Sequence, residues 1–164
     1  SLIHPERREC QSWLFKAASE SMGLDIYDRN SSRKGKNYRY PHYNNSKVLP
    51  ALKYPKTANI YSSYYASLNV NTIEDSTTMY SRRLVEILAS GGIAVTPPSL
   101  AVNTYFKEYC HLVSHYEEAF DLFSRLKVGP TKRDLDKAQA GAEYILNNHT
   151  WAHRISDILE VIGL

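Results

Sequence analysis

One carboxylate, Glu86, lies in a short amphipathic segment, residues 79–92 (MYSRRLVEILASGG), where its type and spacing suit ligand chemistry. The segment carries an apolar stripe at helical spacing, made of Leu84, Ile87 and Leu88. Arg82 falls one turn before Glu86 on another face, and a predicted strand at 93–96 follows the paired glycines. A helix that presents a single carboxylate beside a strand end can bind the ribose hydroxyls of a nucleotide. The alternative is an exposed Arg82–Glu86 pair, which stabilises a helix by only about 0.3–0.5 kcal/mol.

The elements around this segment predict an alternating α/β domain. Short apolar runs predict strands at 24–27, 67–71, 93–96 and 111–113. Helical spacing and end signals predict helices that begin near residues 5, 57, 77, 99, 114, 131 and 151, with a long loop over 28–47. Strands of four or five residues that alternate with helices imply a parallel sheet covered on both faces. We therefore expect one domain over residues 1–164, with a three-layer α/β/α Rossmann-like fold and a short parallel sheet.

Several predicted helices carry start signals or an apolar face. Thr57 is a candidate N-cap, and Ser114-x-x-Glu117 has the pattern of a capping box. Thr131-x-x-Asp134 predicts a similar start. The C-terminal helix is amphipathic, and we expect its apolar residues to be buried; they are Trp151, Ile155, Ile158, Leu159 and Ile162.

Composition indicates an ordinary globular protein. The chain has 164 residues, of which 43% are hydrophobic and 23% charged, enough for one domain with a core. No run approaches the roughly 18 apolar residues of a membrane span, and residues 1–20 show no apolar signal region. Cys10 and Cys110 are far apart, which fits two reduced thiols better than a disulfide framework. These features predict a cytoplasmic protein without a transmembrane segment.

The net charge of +3 comes from one segment. Residues 29–56 contain eight basic and no acidic residues, whereas the rest of the chain has twelve basic against seventeen acidic residues. The segment also holds aromatic residues beside cations, namely Lys36, Tyr38, Arg39, Tyr40 and Tyr43. Such a set can stack bases and neutralise phosphates. A solvated loop is an alternative interpretation of this segment, and so is a loop that closes over a sugar nucleotide or an anionic acceptor. Nucleic-acid binding is disfavoured, because no recognised nucleic-acid module is present.

Other chemistries lack their motifs. The pairs His111/His115 and His149/His153 have i,i+4 spacing, which can hold a metal ion. Neither has the flanking Glu of a metalloprotease motif or nearby cysteines, so histidines with structural roles near helix ends are the preferred interpretation. The chain contains no Gly-x-Gly-x-x-Gly sequence, no Walker loop and no Ser-centred nucleophile elbow.

Four motifs in order give the chain a family resemblance. They are LDIYDR, ASLNVNT, MYSRRLVEILASGGIAVT and NNHTWAHRISDIL. Together they resemble the C-terminal half of a bacterial-type GT-B glycosyltransferase, closest to the group-1-like family that includes the CgeB-type spore-maturation proteins. The family's Arg-x-x-Glu-x-x-Ala-x-Gly pattern is matched by Arg83, Glu86, Ala89 and Gly91. Its late His-Thr-x-x-His-Arg pattern is matched by His149, Thr150, His153 and Arg154.

The resemblance implies a role for the Glu86 segment in binding a nucleoside-diphosphate sugar. Glu86 would accept hydrogen bonds from the ribose hydroxyls. Backbone amides and hydroxyls at the start of its helix would face the diphosphate; the residues are Ser76, Thr77, Thr78, Met79, Tyr80 and Ser81. Arg82 or Arg83 would offset charge on the leaving diphosphate. Helix dipole and basic side chains would make a metal ion or other cofactor dispensable.

The chain departs from the family pattern at Thr78. Many relatives carry a second acid at that position, eight residues before the ribose-binding Glu, which puts a donor-sugar contact in doubt. No catalytic residue is assigned. The resemblance places the whole chain in the donor-binding half, so we expect a missing N-terminal domain to bind the acceptor and the isolated chain to be inactive. The alternative function is a non-catalytic Rossmann-like module that binds a nucleotide or an anionic polymer such as RNA.

Overall fold

The computed structural model describes residues 5–31 and 42–163. In these ranges the helices are α1 (Pro5–Ser21), α2 (Thr57–Ser63), α3 (Arg82–Ala89), α4 (Leu100–Tyr105), α5 (Tyr116–Val128), α6 (Lys132–Asn148) and α7 (Trp151–Ile162). The strands are β1 (Leu24–Asp28), β2 (Ser46–Pro50), β3 (Ser67–Leu68), β4 (Ala94–Thr96) and β5 (His111–Leu112). A single 3-10 turn, Tyr54–Lys56, precedes α2.

All strand pairs in the described ranges are parallel, and they form two sheets. One sheet pairs β1 with β2 along their whole length, and the other has the strand order β3-β4-β5. Residues of β1 and β3, one strand from each sheet, line a common cleft.

The central strand β4 is buried on both faces, as the strands of a parallel sheet usually are. Val95 belongs to the core cluster formed with α1 and α5, which includes Leu14 and Phe123. Ala94 belongs to the opposite cluster, formed with α3, α4 and α6, which includes Leu88. Because successive strand residues point to opposite faces, β4 separates two helical layers. The predicted α/β/α Rossmann-like fold is therefore confirmed.

Two glycines allow close approach within this fold. A Cβ at Gly141 of α6 would lie 3.1 Å from Leu88 Cδ2 of α3 and 3.2 Å from Tyr109 Cβ. A Cβ at Gly92 would lie 2.7 Å from the backbone oxygen of Tyr61. Gly141 lets α6 pack closely on α3, and Gly92 lets the turn after α3 pack on α2, so both glycines fix the position of the helix that carries Glu86.

Several element boundaries differ from the sequence predictions. The helix expected from residue 77 begins at Arg82, because Ser76 Oγ accepts hydrogen bonds from the amides of Thr78 and Met79 and holds a turn there. The loop expected over 28–47 ends earlier, because β2 begins at Ser46. Strand β2 was not predicted, because its two apolar residues, Val48 and Leu49, lie between Lys47 and Pro50 and are too few to indicate a strand.

Two predicted caps are wrong. Thr57 is the first residue of α2, whose N-cap is Lys56, and its hydroxyl donates instead to Tyr54 O at 2.6 Å. Helix α5 begins one residue later than the Ser114 pattern predicts, because the His115 side chain is its N-cap and Glu118 accepts from the Ser114 amide at 2.8 Å. The Thr131–Asp134 capping box of α6 is confirmed.

The burial expected for the C-terminal helix is also wrong. Helix α7 forms, and Thr150 and His153 cap its start reciprocally. Its apolar residues nevertheless face outward, with Trp151 84% exposed. Ile155, Ile158, Leu159 and Ile162 are exposed as well. The amphipathic pattern predicted the helix correctly, but none of the described residues covers its apolar side.

Candidate functional site

A cleft of about 980 Å³ is lined by residues of both sheets. Strands β1 and β3 and helices α2 and α3 line much of it, and α1, β2 and α5 contribute further residues. Its volume suits a nucleotide-sized ligand, since ligand sites commonly measure about 300–1,000 Å³. Four of the residues predicted to bind a donor lie on its wall: Ser81, Arg82, Arg83 and Glu86.

Glu86 is, with Asp25, a carboxylate that lines the cleft, and its side chain is 20% exposed. Its Oε2 accepts a hydrogen bond from the Tyr61 hydroxyl at 3.4 Å. Its Oε1 is buried and lies 3.0 Å from Arg82 Nε, an ion-pair contact, but it has no hydrogen-bond partner. A buried acceptor without a donor is costly, so Glu86 has hydrogen-bonding capacity left for a ligand.

Tyr61 remains a hydrogen-bond donor at neutral pH. Burial raises the pKa of Tyr61, and the negative charge of Glu86 raises it further, while Arg83 opposes both effects. A neutral phenol beside a carboxylate donates rather than accepts. Tyr61, Glu86 and Arg83 thus form a mixed polar group at the junction of α2 and α3. Sequence reasoning missed Tyr61, because its contact with Glu86 joins residues 25 positions apart.

A second tyrosine group lines the same cleft. The Tyr64 hydroxyl donates to Asp25 Oδ2 at 2.6 Å and lies 3.0 Å from the Tyr27 hydroxyl. The rings of Tyr27 and Tyr64 meet edge to face at a centroid distance of 6.4 Å. Burial and the bond to Asp25 raise the pKa of Tyr64. These rings offer flat aromatic surface together with fixed hydroxyl groups.

The start of α3 differs from the predicted phosphate-binding segment. Ser81 is the N-cap, and its side chain accepts from the Arg83 amide at 3.2 Å. Of the predicted residues, Ser76, Thr77, Thr78 and Tyr80 do not line the described cleft. Ser76 instead closes the turn described above, and Tyr80 packs in an aromatic cluster with Phe106 at 4.9 Å. The structure therefore brings together only the part of the segment nearest Glu86.

Buried amides at the strand ends form a network that sequence reasoning missed. Asn69 Nδ2 donates to Asn71 Oδ1 at 3.1 Å and to Thr96 Oγ1 at 3.0 Å. Asn71 Nδ2 donates to Ser99 Oγ at 3.4 Å. Asparagines at alternate positions after β3 were the available signal. Because buried polar groups need partners, this network links the carboxyl ends of β3 and β4.

The histidine pairs have structural partners. His111 Nε2 lies 3.1 Å from Asp134 Oδ1, but burial lowers the pKa of His111 despite that carboxylate, so the contact is not an ion pair at neutral pH. His153 Nδ1 lies 2.6 Å from the Thr150 hydroxyl in the cap of α7. Within residues 5–31 and 42–163, no three metal-binding side chains cluster.

Part of the basic tyrosine-rich segment, residues 32–41, lies outside the described residues. Lys36, Tyr38, Arg39 and Tyr40 fall in the undescribed stretch. Tyr43 is described, and its ring meets Phe15 of α1 edge to face at 6.0 Å. The proposed roles of this segment stay predictions.

Comparisons with known proteins agree with this architecture. A model of the glycosyl transferase-like family matches residues 7–160. The chain therefore belongs to the glycosyl transferase-like family, which confirms the group-1-like resemblance, whereas the CgeB-type subgroup stays a prediction. No curated protein matches significantly.

A solved structure of a glycosyltransferase involved in avilamycin A biosynthesis is similar in fold. It matches with a TM-score of 0.52 at 12% identity over 88% of this chain, so the likeness concerns the fold alone. This chain spans 48% of that protein, which is consistent with one Rossmann-like half of a GT-B fold. Among the described helices, none combines the length and the apolar character needed to cross a bilayer.

Proposed function

We propose that this chain is the donor-binding domain of a glycosyltransferase and binds a nucleoside-diphosphate sugar in the cleft between β1 and β3. The observation that carries the proposal is Glu86, which lines a nucleotide-sized cleft and whose Oε1 contacts Arg82 without a hydrogen bond. Carboxylates bind vicinal ribose hydroxyls through charge-assisted hydrogen bonds. An outward swing of Arg82, whose side chain is 85% exposed, would free Oε1 for the second hydroxyl.

The surroundings of Glu86 suit the rest of a nucleotide. Tyr27 and Tyr64 supply ring faces for a base, since aromatic stacking contributes about 1–3 kcal/mol per base. Arg83 and the start of α3 supply positive charge for the diphosphate. These groups would offset the diphosphate charge without a metal ion, so we propose metal-independent binding.

The test is calorimetry of the chain with UDP, GDP, TDP, CMP and ADP, followed by the Glu86→Ala variant. We expect the variant to lose about 1.5–3 kcal/mol of binding free energy, the value of hydrogen bonds to a charged group. Glu143→Ala is the matched control, because Glu143 is exposed on α6 and contacts only Gln139 among the contacts described. Its affinity should equal that of the parent.

Two results would contradict the proposal. One is an unchanged affinity of a folded Glu86→Ala variant, which would remove the ribose assignment. The other is retention on heparin or RNA that falls steeply with salt, without saturable nucleotide binding, which would favour the binding-module alternative.

The acceptor and any general base would come from a second domain in this proposal. The chain spans only 48% of the solved glycosyltransferase that it resembles in fold. Helix α7 leaves apolar residues such as Trp151 exposed, and a neighbouring domain would give them a partner. Transfer to a glycan, lipid or protein acceptor, and a cytoplasmic location, belong to the same proposal.

A further inference from the structure

Three polar side chains meet where the segment before α3 contacts the start of α7. Arg154 Nη2 lies 2.6 Å from His149 Nδ1 and donates to the Tyr80 hydroxyl at 3.3 Å. The Tyr80 hydroxyl also lies 3.3 Å from His149 Nδ1. Each pair in this Tyr80–His149–Arg154 triad is in contact, although the residues are up to 74 positions apart in the sequence.

The triad is fixed in place by aromatic packing. The Tyr80 ring meets Phe106 at a centroid distance of 4.9 Å, and the His149 ring lies 5.3 Å from Phe106 and 5.1 Å from Tyr144. Arg154 is further oriented by Asp157, which accepts from Nη1 at 3.0 Å. Helices α4, α6 and α7 therefore jointly determine where the Tyr80 hydroxyl lies.

The position of Tyr80 matters because Ser81 follows it directly. Ser81 is the N-cap of α3 and lines the cleft, as do Arg82 and Arg83 in the next turn. The backbone before a helix sets the direction in which its first amides and side chains point. A tether on Tyr80 thus controls the end of α3 that faces the proposed diphosphate.

We infer that His149 and Arg154 are positioning residues that hold Tyr80, and through it Ser81 and the first turn of α3, in the arrangement that binds the diphosphate of the donor. This inference rests on the proposed function and adds to it residues that do not line the described cleft. The triad makes affinity for the donor depend on how α7 packs against the segment before α3. Loss of the Tyr80–His149 or the Tyr80–Arg154 contact therefore lowers this affinity without removing a residue that contacts the ligand.

The contact between His149 and Arg154 that helps to hold Tyr80 depends on the charge of His149. Nδ1 accepts from Arg154 only when it carries no proton, and burial lowers the pKa of His149, helped by Arg154 and His153. Protonation would place two cations in contact and open the triad. The groups that face His149 from the packed elements are Arg154 and His153 on α7, Tyr105 on α4, Tyr144 on α6 and Tyr80.

The experiment compares Tyr80→Phe, Arg154→Gln and the double variant with the parent in calorimetry, using the nucleoside diphosphate that the parent binds best. Tyr80→Phe keeps the ring on Phe106 and removes only the hydroxyl. We expect each single variant to raise Kd about tenfold and the double variant to be no weaker than the weaker single one, since groups in one network are not additive. Glu160→Gln is the matched control, because Glu160 is an exposed acid on α7 outside the triad, and its Kd should stay near that of the parent.

A pH series adds a readout that a merely structural role would not move. Between pH 7.5 and pH 4.5, a range that extends about two units below an ordinary histidine pKa because burial lowers the pKa of His149, the parent should lose more affinity than His149→Gln, whose amide oxygen accepts at any pH. Parent-like Kd values in both single variants, or identical pH profiles for parent and His149→Gln, would overturn the inference. If the parent binds no nucleoside diphosphate at all, the proposed function fails and the inference with it. A Kd that Glu86→Ala raises and the triad variants leave unchanged would overturn the inference alone.

Discussion

At the scale of single residues, Asp134 holds the start of α6 to the end of α5. It is 3% exposed and accepts two hydrogen bonds from the Arg125 guanidinium, at 2.6 and 3.0 Å. It also accepts from the Thr131 amide at 2.8 Å. A buried carboxylate with this many donors contributes to stability as long as all partners are present.

We expect Asp134→Asn to lower the free energy of unfolding by about 1.5–3 kcal/mol, because bonds to a charged group are lost. The measurement is urea denaturation at pH 7. Asp136→Asn is the matched control, since Asp136 is exposed and its 2.7 Å contact with Lys132 is a surface ion pair. That control should change stability by no more than about 1 kcal/mol. Equal effects in the two variants would contradict the role of Asp134.

The same residue predicts a pH dependence. Hydrogen bonds from Arg125 and Thr131 hold the pKa of Asp134 far below its ordinary 3.8, although burial acts in the opposite direction. The stability that Asp134 contributes is therefore complete above pH 3.8 and is lost as the pH falls toward the native pKa. Denaturation between pH 2 and 5 should show a shallower loss for Asp134→Asn than for the parent; parallel curves would contradict this.

Sequence reasoning identified Thr131 and Asp134 as a capping box, because that pattern is local. It misplaced the start of α5 for the same reason. Ser114 and His115 are adjacent candidates for the N-cap of α5. Only the fold shows that the His115 imidazole accepts a hydrogen bond from the Glu118 amide. Glu86 was singled out by its spacing, whereas Tyr61 was not, because its contact with Glu86 spans 25 residues.

At the scale of elements, α7 differs from the other long helices in its exposure. Trp151 is 84% exposed, whereas Phe123 of α5 is fully buried. We expect Trp151→Ala to change the unfolding free energy by less than about 0.5 kcal/mol, as surface substitutions usually do. Phe123→Ala, the matched aromatic control, should cost about 3–5 kcal/mol. Chemical denaturation measures both, and a large loss in Trp151→Ala would mean that α7 packs on the described domain.

The reason why α7 misled sequence reasoning is general. An amphipathic period shows that a helix has one apolar side, but not which surface covers it. In α3 the same period led to the correct result, because Leu84, Ile87 and Leu88 meet α6 and β4 within the chain. Strand β2 was not predicted, because its apolar run is only Val48 and Leu49.

At the scale of the whole molecule, the proposed division of labour predicts no sugar transfer by the chain alone. Holding both reactants in one cleft can supply about 7–11 kcal/mol of the barrier, so a donor site without an acceptor site loses nearly all of the rate. The measurement incubates the chain with nucleotide sugars and a panel of acceptors. Robust turnover, as opposed to slow donor hydrolysis, would contradict the proposal.

The overall α/β/α architecture was predictable, because alternating short strands and helices leave few arrangements. The separation of the strands into two sheets was not, because pairing between strands that are distant in sequence is not encoded in any local pattern.

This separation gives the molecule an uneven resistance to amide hydrogen exchange. In the described part of the chain, β1 and β2 pair only with each other as strands, and Lys47 and Val48 are exposed. Strand β4 has partners on both edges and is buried throughout. Because a lone pair of strands is marginally stable, amides of residues 24–28 and 46–49 should exchange by local opening, and those of 94–96 only by global unfolding. The side of the cleft formed by β1 thus opens more readily than the side formed by β3. A ligand that fills the cleft should therefore slow amide exchange mainly in β1.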